Sequence, residues 1–340
     1  GRLRDQWHGM SRTGTLGRLF GHVSEPAIAM HPQDMARLAL KSGDLVHVTS
    51  PRGSIMVLAQ SSPEVALNQA FMAMHWGDEY LSGSSANSDR LGGVNALTTS
   101  AFCPDSKQPE FKHTSVKILK ANLPWNLLAV AWLPEAQVLA AHAELRSLFG
   151  EFAFASCVPF SDGAPVTGVP GRSGLLFRAA HHDPVDDTLL QRIEAVLQLQ
   201  GTDILRYSDK KRGQRRAIRM FEGDTQTSLD GFLLAGDTSA QGWITTLLKD
   251  TLPAHAYGQA LLIPGATPPI PVVSRGEQVC SCFNVTDSAI KSHLKTCTTE
   301  PGGWLASLQA TLKCGTNCGS CVPQLQRMVR QHVASPALPN

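Results

Sequence analysis

No run of apolar residues in this chain is long enough to cross a membrane, which excludes a helical membrane anchor within it. The chain also lacks a charge excess: 30 Lys and Arg stand against 28 Asp and Glu, a net charge of +2. Nucleic-acid binders usually carry a clear basic surplus, so nucleic acid drops out as an expected partner. No internal repeat and no low-complexity tract is present, which excludes repeat architectures. No secretory signal opens the sequence, and no methionine does either. It begins at Gly1 on residues that already look like a motif. The expectation is the C-terminal part of a longer protein, in which a leader could still lie upstream.

What is there points to two or three domains: 340 residues, 42% of them hydrophobic, enough to bury real cores. Of eight cysteines, five (Cys280, Cys282, Cys314, Cys318 and Cys321) fall close together near one end. Extracellular disulfide proteins spread cysteines through a small scaffold. Clustering at the end of a long chain reads as metal ligation in a reducing compartment, hence a cytoplasmic protein.

Three regions emerge. Residues 1–122 read as a β-rich barrel with short helices. Pro32 suits a first helical position after His31, and Asp34 suits the helix dipole, with Ala36, Leu38 and Leu40 carrying the helix on. Leu45 to Thr49, Ile55 to Ala59 and the alternation of Val116, Ile118 and Lys120 read as strands. Asp78 to Lys112 reads as one long loop, which in a compact domain is functional or disordered. Residues 123–263 read as an α+β domain. Its helices are Glu135 to Phe149, Thr188 to Gln200 and Ser239 to Leu248; its strands are Phe152 to Val158, Ile204 to Tyr207, Ala217 to Phe221 and Phe232 to Leu234. Residues 264–274 are a stiff Pro-rich linker, residues 275–333 a small all-α Cys-rich domain, and residues 334–340 a disordered tail.

The cysteine spacing carries the most chemistry. Cys280-Ser281-Cys282 is followed, 36 positions after Cys282, by Cys318-Gly319-Ser320-Cys321. Two close pairs suit four thiolates that must converge on one iron–sulfur cluster, 2Fe–2S by this spacing. Gly315 and Gly319 let the backbone fold tightly around the sulfurs. Pro323 suits the start of a helix whose positive end would lie beside an anionic cluster. Thr286 with Asp287 announces a preceding helix, and Trp304, Leu305, Leu308 and Leu312 supply the face of another. Four Cys also bind zinc tetrahedrally, although zinc knuckles more often place two residues between the ligands of both pairs. Cys314 either replaces a ligand or is simply buried.

Val279-Cys280-Ser281-Cys282-Phe283-Asn284-Val285-Thr286, followed by Cys314 to Pro323, resembles the bacterioferritin-associated-ferredoxin-like 2Fe–2S domain. The resemblance implies Cys280, Cys282, Cys318 and Cys321 as ligands. Cys314 departs from it, since that family often has a small residue there.

At the other end, Gly1-Arg2, Trp7-His8 and Ser11-Arg12-Thr13-Gly14 put backbone donors and Arg forks together, a pattern able to bind phosphates and equally able to be an exposed polar loop. With His31 to Asp34, Ser42-Gly43-Asp44, Met74-His75-Trp76, Gly93 to Thr98 and Asp105 to Lys112 in this order, the segment resembles the C-terminal molybdopterin-dinucleotide-binding domain of bacterial molybdenum oxidoreductases, a double-psi β-barrel. The resemblance implies that Arg2, Trp7, His8, Ser11, Arg12, Thr13, Asn95 and Lys112 touch a pterin dinucleotide. His75 and Trp76 also read as barrel packing.

In the middle, Arg212 to Ala217 and Gly231 to Thr238 resemble, more weakly, the C-terminal domain of flavin-dependent nitrite reductases. Lys210, Lys211, Arg212, Arg215, Arg216 and Arg219 form a basic run that reads as a solvated hairpin or as a docking patch for an acidic electron carrier. The whole order resembles the C-terminal half of an assimilatory nitrate reductase catalytic subunit. That implies nitrate reduction at molybdenum held by bis-molybdopterin guanine dinucleotide, a 4Fe–4S cluster upstream, and ferredoxin, flavodoxin or an NADH-dependent reductase subunit as donor. A related molybdenum oxidoreductase such as formate dehydrogenase, and a non-catalytic electron-transfer module, are the alternatives. No residue of this stretch is expected to be catalytic, and the chain alone should not turn over nitrate.

Overall fold

The computed structural model describes residues 1, 17–74, 76–84, 90–108, 113–162, 172–223, 226–297 and 300–334. In chain order the first region contributes β1 (Ala27–Met30), α1 (Pro32–Arg37), β2 (Leu45–Thr49), β3 (Ser54–Ser61), β4 (Ala70–Met72), β5 (Leu81–Ser84), β6 (Arg90–Leu91) and β7 (Lys117–Lys120). Five of these form a sheet in the order β4-β1-β3-β2-β7, with β1 parallel to β3 and the other pairs antiparallel. Among the described residues this sheet is open, ending on β4 and β7. The helix that Ala36, Leu38 and Leu40 were expected to extend stops at Arg37, where Ala39 enters the left-handed region at φ 53°.

The second region contributes β8 (Trp125–Leu133), α2 (Glu135–Ser147), β9 (Phe154–Ser161), β10 (Ser173–His181), α3 (Asp187–Val196), β11 (Ile204–Asp209), β12 (Gln214–Glu222), β13 (Thr227–Gly236) and α4 (Gln241–Lys249). The sheet runs β11-β12-β13-β8-β10-β9-β5-β6. β8 sits at its centre because both of its faces are apolar, as expected of a strand covered on both sides. Leu127, Ala129, Ala131 and Leu133 pack with Val138 and Leu145 of α2 and Ile193 of α3. Leu128, Val130 and Trp132 pack with Ile244, Leu247 and Leu248 of α4. The result is three layers, helix on sheet on helix.

The expected long loop from Asp78 to Lys112 is therefore only partly a loop. β5 and β6 lie within it and extend the second region's sheet, Leu81 pairing with Ser156. Short Gly- and Ser-bearing strands give no alternation in sequence; the partner edge sets their pairing.

The third region contributes β14 (Gln278–Cys280), β15 (Val285–Thr286), α5 (Asp287–Thr296), α6 (Trp304–Leu312) and α7 (Val322–Ala334). It is not all-α: β14 and β15 form a two-stranded ribbon whose extended arm delivers Cys280. The Pro-rich segment before it lies fastened on the second region. Trp243 Nε1 donates to Ala266 O at 3.3 Å, Val272 packs into the α4 core, and Asp250 Oδ2 accepts from Arg275 N at 2.8 Å. No described helix is long and apolar enough to cross a membrane.

Candidate metal centre

Four sulfurs meet where the β14–β15 ribbon faces the loop ahead of α7. Cys280 ends β14, Cys282 lies in the following turn, and Cys318 and Cys321 precede α7. Cys282 Sγ is 3.5 Å from Cys318 Sγ, and the Cys321 thiol hydrogen-bonds Cys280. Two thiolates on one tetrahedral iron, at a bond of about 2.3 Å, stand roughly 3.7 Å apart, so each pair suits one metal ion. Among the described residues, no three His, Cys, Asp or Glu side chains gather as a site for a single ion. Two sulfur pairs, each of one metal's width, suit a two-iron cluster.

The electrostatics favour the thiolate that ligation needs at two of the four sulfurs, Cys280 and Cys318. The Cys321 thiol, opposed by burial and helped by N–H groups of Phe283, Gly315 and Cys282, brings Cys280 down to about 5. Gly315 presents its N–H from the left-handed region at φ 82°, where a Cβ would sit 3.0 Å from Val322. Cys318 lies below its usual range: burial raises it, but Ser320 and Cys282 lower it further. Burial keeps Cys282 above its usual range. The residues fit a 2Fe–2S cluster held by Cys280, Cys282, Cys318 and Cys321. The fifth thiol, Cys314, is fully buried, donates to Leu308 O at 3.7 Å, and is pushed up to about 11 by burial. It stays a core thiol beside the site. α5 is capped by Thr286, whose hydroxyl accepts from Ala289 N at 3.4 Å, and α7 begins one residue after Cys321.

Several residues that sequence reasoning passed over fix this site in place. Asn284 stands at φ 50°, a conformation Asn tolerates better than most residues. Its Oδ1 accepts from Arg275 Nη2 at 2.7 Å and Gln278 Nε2 at 2.8 Å. Its amide donates to Asp162 O in the second region. Arg327 Nη1 also lies 2.8 Å from Glu64 Oε1 in the first region, an exposed surface pair that adds little to the hold. His22 Nε2 lies 3.2 Å from Val279 O and His22 Nδ1 3.4 Å from Ser281 Oγ. The Asn in Cys282-Phe283-Asn284 was the one available signal; the others are long-range pairings with no local pattern.

Of the expected pterin-binding residues, Arg2, Trp7, His8, Ser11, Arg12, Thr13 and Lys112 lie outside the described residues, as does His75. Asn95 is exposed on a 3-10 turn, Val94–Leu97, and its carbonyl accepts from Thr98 N at 3.2 Å. Trp76 is fully buried against Phe20 and Tyr80, the packing role.

Half of the basic run is turned inward. Arg216 is buried and bonds Leu261 O at 3.0 Å. Arg215 Nε lies 2.6 Å from Glu194, and Arg219 Nη2 2.7 Å from Asp230. Alternation along β12 turns these side chains into ion pairs within the domain, leaving Lys210, Lys211 and Arg212 outside. Arg215→Glu should consequently unfold the second region at lower denaturant, a shift read by circular dichroism. A variant as stable as the parent, slowed only in its reaction with an acidic carrier, would restore the patch.

Comparison with known proteins accords with the geometry. Residues 1–115 match the molydopterin dinucleotide binding domain and residues 278–331 the BFD-like [2Fe-2S] binding domain. A nitrate reductase of Klebsiella oxytoca is 26% identical over 334 residues, 98% of this chain and 34% of that protein. A nitrate reductase of Shewanella frigidimarina is 30% identical over 142 residues, 36% of this chain and 14% of its own length. A nitrate reductase of Symbiobacterium thermophilum is 31% identical over 125 residues, 36% of this chain and 15% of its own. The chain thus spans about a third of the first relative's length and less of the others.

Proposed function

From a chain with a pterin-dinucleotide domain at one end and a 2Fe–2S domain at the other, we propose the electron-relay and cofactor-clamping part of a molybdenum-dependent nitrate reductase. The reaction is NO3− + 2 e− + 2 H+ → NO2− + H2O. Bound molybdenum supplies the oxygen-atom chemistry, and the protein orients the cofactor and delivers electrons. In this chain Arg2, Trp7, His8, Ser11, Arg12, Thr13, Asn95 and Lys112 would hold the pterin dinucleotide, in a first region built as a double-psi barrel. Cys280, Cys282, Cys318 and Cys321 would carry single electrons from ferredoxin, flavodoxin or an NADH-dependent reductase. The molybdenum ligand and a 4Fe–4S cluster would belong to the part preceding Gly1.

The observation that carries this reading is the quartet of sulfurs clamped by Asn284 and His22 onto regions two and one. A free-standing electron carrier has no need of such a clamp. The test is the full-length protein under anaerobic conditions, offered nitrate with a reduced dye as electron donor or formate with an oxidised dye as electron acceptor. The expected result is one nitrite for every two electrons and no reaction with formate. Formate oxidation without nitrite formation would assign the related molybdenum activity, and no turnover with either would leave an electron-transfer module.

A further inference from the structure

The two sulfur pairs face different surroundings. Cys280 and Cys321 are buried, at 3% and 2% exposure, while Cys318 is exposed and Cys282 half-buried. A donor arriving from solvent therefore meets the Cys282–Cys318 edge. Cys280 and Cys321 are buried in the third region's own core, and the backbone on either side of Cys280 is met by His22. This histidine lies inside the segment matched as the pterin-dinucleotide domain. It sits two residues after Phe20, which is fixed by rings of Trp76 and Tyr80 at 5.9 and 5.6 Å.

His22 brackets Cys280. With its proton on Nε2, the ring donates to the carbonyl of Val279, just before Cys280, and accepts from the hydroxyl of Ser281, just after it. Ser281 is itself buried. One side chain thus fixes both chain neighbours of Cys280. Residues that orient ligands in this way tune a metal site about as strongly as they are well placed.

Resting on the electron-relay reading above, we infer that His22 is the positioning residue at the edge where electrons leave the cluster for the pterin side, opposite the edge where they enter. In each passage the reduced cluster, one ferrous and one ferric iron, returns to the diferric state. One electron goes to the metal centres on the pterin side. Two passages supply the two electrons nitrate consumes, and its two protons come from solvent.

The test uses the full-length protein with His22→Leu, His22→Gln and, as a control that loosens the same interface elsewhere, Glu64→Gln. Donor-driven reduction and nitrate-driven reoxidation of the 2Fe–2S centre are followed separately by rapid-freeze EPR. His22→Leu is expected to keep the reduction rate and slow reoxidation by about 10- to 100-fold, the range for outer-shell partners of a metal site. His22→Gln keeps an amide N–H for the Val279 carbonyl and should recover most of the rate. Glu64→Gln should change neither. Potentiometry gives a second readout that needs no turnover. His22→Leu removes the hydrogen bonds to the Val279 carbonyl and the Ser281 hydroxyl on either side of Cys280, so it should shift the midpoint potential, and His22→Gln should bring it back toward the parent value. Equal slowing of reduction and reoxidation, equal effects of Glu64→Gln, or an unchanged potential would each overturn the inference. A parent cluster that nitrate does not reoxidise would refute the enzyme reading instead, and the potential shift alone would then decide the role of His22.

Discussion

Changing Cys318 to Ser abolishes the visible colour of the iron-loaded chain, and Cys280→Ser does the same, while Cys314→Ser leaves it intact. Cys318 and Cys282 form the outer sulfur pair, 3.5 Å apart, and Cys280 with Cys321 the inner one. Each pair would hold one iron, so losing one thiolate would leave that iron a ligand short. Outer-shell changes already cost about 10- to 100-fold in metal affinity; losing a ligand costs more. Metal binding also contributes folding energy. The third region's own core, Ile290, Leu294, Leu308 and Leu325 with few neighbours, is small. The loss of colour should thus come with a lower melting transition for that region. Cys314→Ser tests the other side: its sulfur bonds a carbonyl and belongs to neither pair. Absorption spectra with iron and sulfide analysis decide. Colour kept in Cys318→Ser, or lost in Cys314→Ser, would mean the ligand set is drawn wrongly.

The second large effect lies far from the cluster. Glu194 of α3 is 1% exposed and accepts from Arg206 at 2.8 Å and from Arg215 at 2.6 and 2.8 Å. Glu194→Ala leaves two guanidinium groups facing a gap in the protein. Breaking a buried pair from one side costs about 3–5 kcal/mol, and the partial exposure of Arg206 places this case near the lower figure. In a domain of this size that lowers the melting temperature by roughly 6–12 °C. Arg212→Glu, on the exposed side of the same turn, should shift it by less than about 0.5 kcal/mol. Thermal unfolding followed by circular dichroism separates the two. Similar melting points for both variants would show that the Glu194 network is not what ties α3 to the sheet.

The Glu194 network also marks where sequence reading stopped. The run from Lys210 to Arg219 looked like one basic patch because charge is visible in sequence and partners are not. Strand alternation on β12, and acids on α3, on β13 and just past it, supplied from 11 to 21 positions away, turned half of it inward. β8 was passed over for a related reason. Its run from Trp125 to Leu133 does not alternate, since both faces are buried, and a continuous apolar stretch has no period to detect. Elements with local signals were legible: β2 from Leu45 to Thr49, the Pro323 start of α7 and the Thr286 cap of α5. The cysteine quartet was legible because ligand spacing is local. The clamp that positions it, His22, Asp162 and Asp250, was not, because each pairs with residues tens to hundreds of positions away.

The central claim is a binuclear iron–sulfur centre on Cys280, Cys282, Cys318 and Cys321, and the most direct test is chemical analysis and EPR of the purified chain. The account predicts about two irons and two acid-labile sulfides per chain, red-brown in the oxidised state, with a paramagnetic signal from one unpaired spin after one-electron reduction. One zinc per chain, no acid-labile sulfide and no visible absorption would contradict it.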